Sequence, residues 1–114
     1  DALFQRLVNL NKELGLEQFD YTLSEEVNTL ELIRQSEELI GSENLVEAEK
    51  LLLEIVSLIP SNIDALNNLS VIYILTGNYK AAVSKLERVF SIEPGNEVAA
   101  DNLNYLNSIL NQNN

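Results

Sequence analysis

The side chains that most often carry out chemistry are missing from this sequence. Its 114 residues include no His and no Cys. The commonest general base and metal ligand is therefore absent, and with Cys go the thiolate and the disulfide. A zinc or transition-metal site would rest on carboxylates alone. The adjacent pairs Glu25-Glu26 and Glu37-Glu38 suit that badly, because neighbours on a helix project about 100° apart. No Asp-x-Asp-x-Asp-Gly loop is present for calcium and no Walker-type loop for phosphate. The serines have no base to activate them. The expectation is a chain with no catalytic residue, no cofactor and no metal.

What remains is amide chemistry. Asn68-Leu69 is echoed 34 residues later by Asn102-Leu103. A side-chain amide offers both a donor and an acceptor, so it can pair with a peptide unit whatever the sequence of that peptide. Asn68-Leu69-Ser70 also fits the N-glycosylation pattern, but it is expected in mid-helix, in a chain with no secretory signal.

The same spacing recurs among the residues that must position these amides. Pro60 and Pro94, Asn62 and Asn96, and Ala48 and Ala82 each stand 34 residues apart. A fixed period of this size marks stacked helical repeats, which present an extended surface to a partner.

The elements read as helices throughout, and no period-2 strand pattern occurs. Leu3, Leu7, Leu10 and Leu14 keep helical spacing up to a stop at Gly15. Residues 16–23 read as irregular, with Phe19 and Tyr21 packing. Ser24 is the expected N-cap of a helix that ends at Gly41, with Glu25 and Glu26 favoured in its first turn. Asn44 and Glu47 resemble a capping box for the next helix, which Pro60 ends. Asn62 opens a helix closed by Gly77. Asn78 opens one that fades before Pro94, and Asn96 opens the last, to about Leu110. Gly15, Gly41, Gly77 and Gly95 all fall at helix ends, where a positive φ is expected. Leu45, Ala48, Leu52, Ile55 and Ile59 form one apolar stripe, with Leu51, Val56 and Leu58 off it. Ala48 and Ala82 are small where two helices approach closely.

Composition narrows the partners. The hydrophobic content of 46% is that of a folded domain, and the length allows one domain with a modest core. With 18 acidic and 7 basic residues the net charge is −11, which disfavours nucleic acid and anionic membrane surfaces. The longest apolar run, Leu51 to Ile59, is interrupted by Glu54 and is too short to span a bilayer. With no signal peptide, a cytoplasmic location is expected. The chain begins at Asp1, which reads as a piece of something longer or a processed chain.

Residues 63–96 resemble a tetratricopeptide repeat. Leu66, Leu69-Ser70, Tyr73, Ala82 and Pro94 fall where that family places its signature residues, and Gly77-Asn78-Tyr79 matches its turn. Val89 departs, standing where Ala is preferred. In residues 29–62, Leu32, Ser36, Leu39, Ala48 and Pro60 fit. Gln35 replaces the usual Leu, and Glu43 replaces the turn Gly.

The resemblance implies an all-α right-handed superhelix of antiparallel helix pairs, about six helices in all. It divides the chain into an N-terminal helix and connection at 1–28, repeats at 29–62 and 63–96, and a capping helix and tail at 97–114. The first helix of each repeat would line a concave face. Arg34, Asn68, Val71, Ile74, Asn102 and Tyr105 are its implied partner-binding residues, with Ile33, Ile40, Leu75, Val98 and Ile109 beside them. Glu37, Asp64 and Asp101 would add negative charge. In some members an Asn ladder grips the backbone of an extended peptide, and Asn68 and Asn102 fit that pattern. A subclass that grips a C-terminal carboxylate is disfavoured, since Ile33 and Glu37 stand where its Lys and Asn belong.

Three readings follow. The leading one is a non-catalytic module binding a protein or extended peptide that is apolar with some positive charge. The others are a structural appendage of a larger enzyme, such as a glycosyltransferase or methyltransferase, and self-association into a homo-oligomer. The N-terminal helix would serve either as a cap on the first repeat or as an occupant of the groove.

Overall fold

The computed structural model describes residues 2–3, 5–6 and 21–112. Among these residues the fold is all-α, with no strand. Over residues 21–112 five helices follow one another: α1 (Tyr21–Gly41), α2 (Leu45–Leu58), α3 (Ile63–Leu75), α4 (Tyr79–Ile92) and α5 (Glu97–Gln112). None is long and apolar enough to cross a membrane. The chain divides into two units, residues 1–58 and 59–114.

In the first unit α1 packs against α2. Leu32, Ile33 and Ser36 of α1 are buried, as are Ala48, Leu52 and Ile55 of α2. These fall at helical spacing, so each helix turns one stripe inward. Among the described residues α1 reaches back to Tyr21, so Ser24 lies inside it and is not its N-cap, Glu25 and Glu26 fall beyond its first turn, and 21–23 are helical rather than irregular. The helix expected over residues 3–14 lies mostly outside the described residues, and the expected stop at Gly15 and the segment 16–20 with Phe19 lie wholly outside them. Ala2, Leu3, Gln5 and Arg6 are helical, and Leu3 is buried. An Arg6 guanidinium nitrogen lies 4.0 Å from Glu54 Oε2. Arg6 shares a surface cleft with Gln35 and Leu39 of α1 and Glu47, Lys50 and Leu51 of α2.

In the second unit three helices pack pairwise, α3 on α4, α4 on α5 and α3 on α5. Ile74, Ala82 and Leu106, one from each helix, form a buried cluster, with Tyr73, Tyr79, Val83 and Ile109 packed around it. Ala82 is completely buried, as is Ala48 in the first unit. A larger side chain at either position would push the backbones apart.

The 34-residue period reappears in the backbone hydrogen bonds. At the end of α1 the Glu43 N–H donates to Ile40 O and the Asn44 N–H to Leu39 O. At the end of α3 the Gly77 N–H donates to Ile74 O and the Asn78 N–H to Tyr73 O. Each pair of bonds forms a Schellman turn, whose residue just past the helix takes a left-handed conformation. That residue is Gly77 at φ 79° in one case and Glu43 at φ 65° in the other. The same equivalence holds one residue earlier. Ser42 Oγ donates to the Glu38 and Leu39 carbonyls, and Thr76 Oγ1 to those of Ile72 and Tyr73.

Two expectations about helix ends need correction. Gly41 and Gly95 do not have positive φ; among the described glycines only Gly77 does. Gly41 is simply the last residue of α1. The Asn44–Glu47 capping box does not form either. The Asn44 N–H is committed to Leu39 O at 2.8 Å, and Glu47 lies instead 3.9 Å from Lys50 Nζ.

Candidate functional site

Helices α3 and α5 carry two equivalent stripes. On α3 the stripe is Asp64, Asn68, Val71 and Leu75, and on α5 it is Val98, Asn102, Tyr105 and Ile109. The spacing is i, i+4, i+7, i+11, which keeps each set on one side of its helix. Both helices start at an Asn N-cap. Asn62 Oδ1 accepts from the Ala65 N–H and Asn96 Oδ1 from the Ala99 N–H, both at 2.8 Å. The identical caps fix the start of each helix, and so the register of each stripe.

Two rungs join the helices. Asn102 Nδ2 donates to Ser70 Oγ at 3.4 Å. One helical turn further on, Leu106 meets Ile74 in the core cluster. Both rungs advance in the same direction along the two helices, so α3 and α5 run parallel. Ser70 is fully buried and its hydroxyl donates a hydrogen bond to Asn67 O at 2.6 Å. Ser36 in the first unit does the same, donating to Ile33 O at 2.6 Å.

The expected site residues have different fates. Asn68 and Val71 on α3 and Asn102 on α5 are half-buried, and Tyr105 is 53% exposed. These four belong to one unit and to the two joined helices. Ile74 is only 4% exposed and packs inward, so it supports the face from below. Arg34 belongs to the first unit and is exposed on α1. Its guanidinium forks onto Glu31, with Nε to Oε2 at 3.0 Å and Nη2 to Oε1 at 2.6 Å, and also pairs with Glu38. Its hydrogen bond to Glu31 holds the Glu31 carboxyl below the usual glutamate range and raises Arg34 above the usual arginine value. The Arg34 charge is therefore compensated within its own helix.

Two amides stand out among the buried polar groups. The Asn68 Nδ2 donor is buried without a hydrogen-bond partner, and so is the Asn67 Oδ1 acceptor. Buried polar groups are nearly always paired, because an unpaired one keeps its full desolvation cost. Asn67 is otherwise tied down, since its Nδ2 donates to Asn96 Oδ1 at 3.2 Å. That bond links α3 to the cap of α5. The sequence gives no periodic signal for it, because Ile33 stands at the equivalent place in the first unit.

Three further observations bound the chemistry. Among the described residues no three acidic side chains converge as a metal site would require. An open depression of about 400 Å³ on the second unit is lined by Tyr79, Lys80, Val83, Ser84, Glu87 and Leu110, none of them an expected site residue. Asn68-Leu69-Ser70 lies inside α3 with Leu69 and Ser70 fully buried.

No family model matches the chain, and no curated protein and no solved structure matches it either.

Proposed function

We propose that the chain is a tetratricopeptide-like, non-catalytic binding module that takes a protein or extended peptide on the face of α3 and α5. The observation that carries this reading is the paired stripe with Asn68 and Asn102 at its centre. The two amides occupy equivalent positions on parallel helices, and the helix ends repeat bond for bond at 34 residues. Asn68 contributes a donor without a partner, and Asn102 holds only a long bond to Ser70. A peptide carbonyl would take the Asn102 donor in place of its long bond to Ser70, and would reach the buried Asn68 donor once that side chain turned outward. Tyr105 and Val71 supply the apolar contact beside them.

Selecting extended peptides from a display library, then titrating the best one, tests this reading. Replacing Asn68 and Asn102 together with Ala should remove one hydrogen bond at each position, or roughly 1–3 kcal/mol of net binding. The affinity should fall about 5- to 150-fold, with little change in melting temperature. Unchanged affinity in the double variant would move the binding surface off α3 and α5.

A further inference from the structure

The charges around this face are all of one sign and all at one end. Neither α3 nor α5 contains a Lys or Arg, and the cations of the second unit, Lys80, Lys85 and Arg88, all lie on α4. The acids of α3 and α5 are Asp64, Glu97 and Asp101, each within the first two turns of its helix. Asp64 and Glu97 also meet the positive ends of their helix dipoles, whereas Asp101 stands beyond the first turn. The other end of the face is uncharged. There Leu75 is 51% and Tyr105 53% exposed, with Val71 half-buried between the amides and Leu75. Val98, at 55% exposure, lies beside Asp101 at the acidic end.

Resting on the peptide-binding reading, we infer that the occupant of this face is a cationic amphipathic segment in extended form. Its Lys or Arg side chains lie over the acidic ends of α3 and α5. Its aliphatic or aromatic side chains cover Val71, Leu75 and Tyr105. Charge complementarity selects this occupant over two others. A second copy of the chain, at −11, would bring like charge to the acidic end. An acidic peptide would meet the same repulsion, with no Lys or Arg on α3 or α5 to offset it.

The test uses three synthetic peptides with one apolar pattern, carrying Lys, Ser or Glu at the alternate positions. Each is labelled and titrated against the chain by fluorescence anisotropy. The Lys peptide should bind most tightly and the Glu peptide least, and rising salt should narrow the gap. Asp101→Asn should reduce the preference for Lys over Ser by up to about 5-fold, the range of an exposed ion pair. Glu87→Gln, on α4, should leave that preference unchanged. Tyr105→Ala should weaken all three peptides together.

Equal binding of the Lys and Glu peptides would overturn the charge inference while leaving the peptide-binding reading in place. Equal effects of Asp101→Asn and Glu87→Gln would mean that overall charge alone attracts the peptide, and would overturn the site. Failure of every peptide to bind would overturn both readings.

Discussion

The two helix hairpins α1–α2 and α3–α4 share one frame and differ on one face. Leu32, Ser36, Ala48 and Leu52 in the first correspond to Leu66, Ser70, Ala82 and Leu86 in the second, and all eight are buried. The Schellman turns correspond bond for bond. Another face changes character. In α3 it is Ala65, Leu69 and Ile72, all buried. In α1 the same places hold Glu31, Gln35 and Glu38, of which both glutamates are exposed. The frame therefore needs only the hairpin's inner stripe. The adjoining face is free to be core in one hairpin and a charged surface bearing Arg34 in the other.

Exchanging residues between the two faces gives the largest expected effect. Leu69→Gln removes a fully buried Leu and buries an amide in its place. It should cost about 3 kcal/mol or more, combining the lost transfer and the unpaired polar group. Gln35→Leu, the reverse change at the equivalent place, should stay within about 0.5 kcal/mol. Thermal melting of the two variants checks this. Equal losses would mean that the two faces do the same job and that the comparison fails.

The shared frame gives the next effect. Ala82→Leu should destabilise by roughly 1–3 kcal/mol, because extra methylenes have no room against Ile74 and Leu106. Ala81, half-buried, should accept Leu with a smaller loss. Similar melting of both variants would show that the register of α4 is not what sets the close contact.

These cases show what the sequence makes legible. The period was readable because it is carried by residues with strong local roles. Pro60 and Pro94 end helices, and Asn62 and Asn96 cap them, so the code lies within a few residues of its effect. The buried positions of Ala48 and Ala82 were readable from size alone. The start of α1 was not. Ser24 is a residue type that favours caps, but the helix continues back to Tyr21 and leaves it inside. The Asn44–Glu47 pattern misled for a related reason. A capping box needs the Asn N–H free, and the Schellman turn had already taken it. At the site, the equivalent amides Asn68 and Asn102 followed from the period. The bond from Asn67 to Asn96 did not, since it joins residues 29 apart and has no counterpart in the first unit. Ile74 shows the same limit. Its position in the repeat cannot say that Ala82 and Leu106 close over it.

A smaller effect comes from the turns, where the hairpins differ by one residue type. Glu43 holds a left-handed conformation that costs an L-residue about 1–2 kcal/mol, whereas Gly77 holds it freely. A Cβ on Gly77 would meet nothing within 4 Å, so backbone conformation alone decides there. Gly77→Glu should lower stability by about 1 kcal/mol. Glu43→Gly should raise it by less than about 1 kcal/mol, because Gly also loosens the unfolded chain. If Glu43→Gly is destabilising, the turn of the first hairpin draws support from the Glu43 side chain, and the two turns are not equivalent.

The smallest effect belongs to the charged face of α1. Glu31 carries a pKa depressed chiefly by its hydrogen bond to Arg34. A carboxyl with a lower pKa in the folded state binds fewer protons there than in the unfolded state. Its contribution is therefore present above the unfolded value and is lost as pH falls through the folded one. The loss should lie in the acid range, and it should be slight because the pair is exposed and screened by water and salt. Site-resolved NMR titration of the Glu31 carboxyl carbon measures the shift directly. In Arg34→Gln the midpoint should move upward, toward an ordinary glutamate, while buried Ser36 and Leu32 on the inner stripe keep their environments. The equivalent change on α3, Asn68→Gln, should leave the Glu31 midpoint unmoved, since the ion pair is local to α1. A midpoint unaffected by Arg34→Gln would mean that the fork onto Glu31 does not persist in solution. Arg34 would then be a free cation, and the contrast between a self-compensated α1 surface and an acidic α3–α5 face would have to be redrawn.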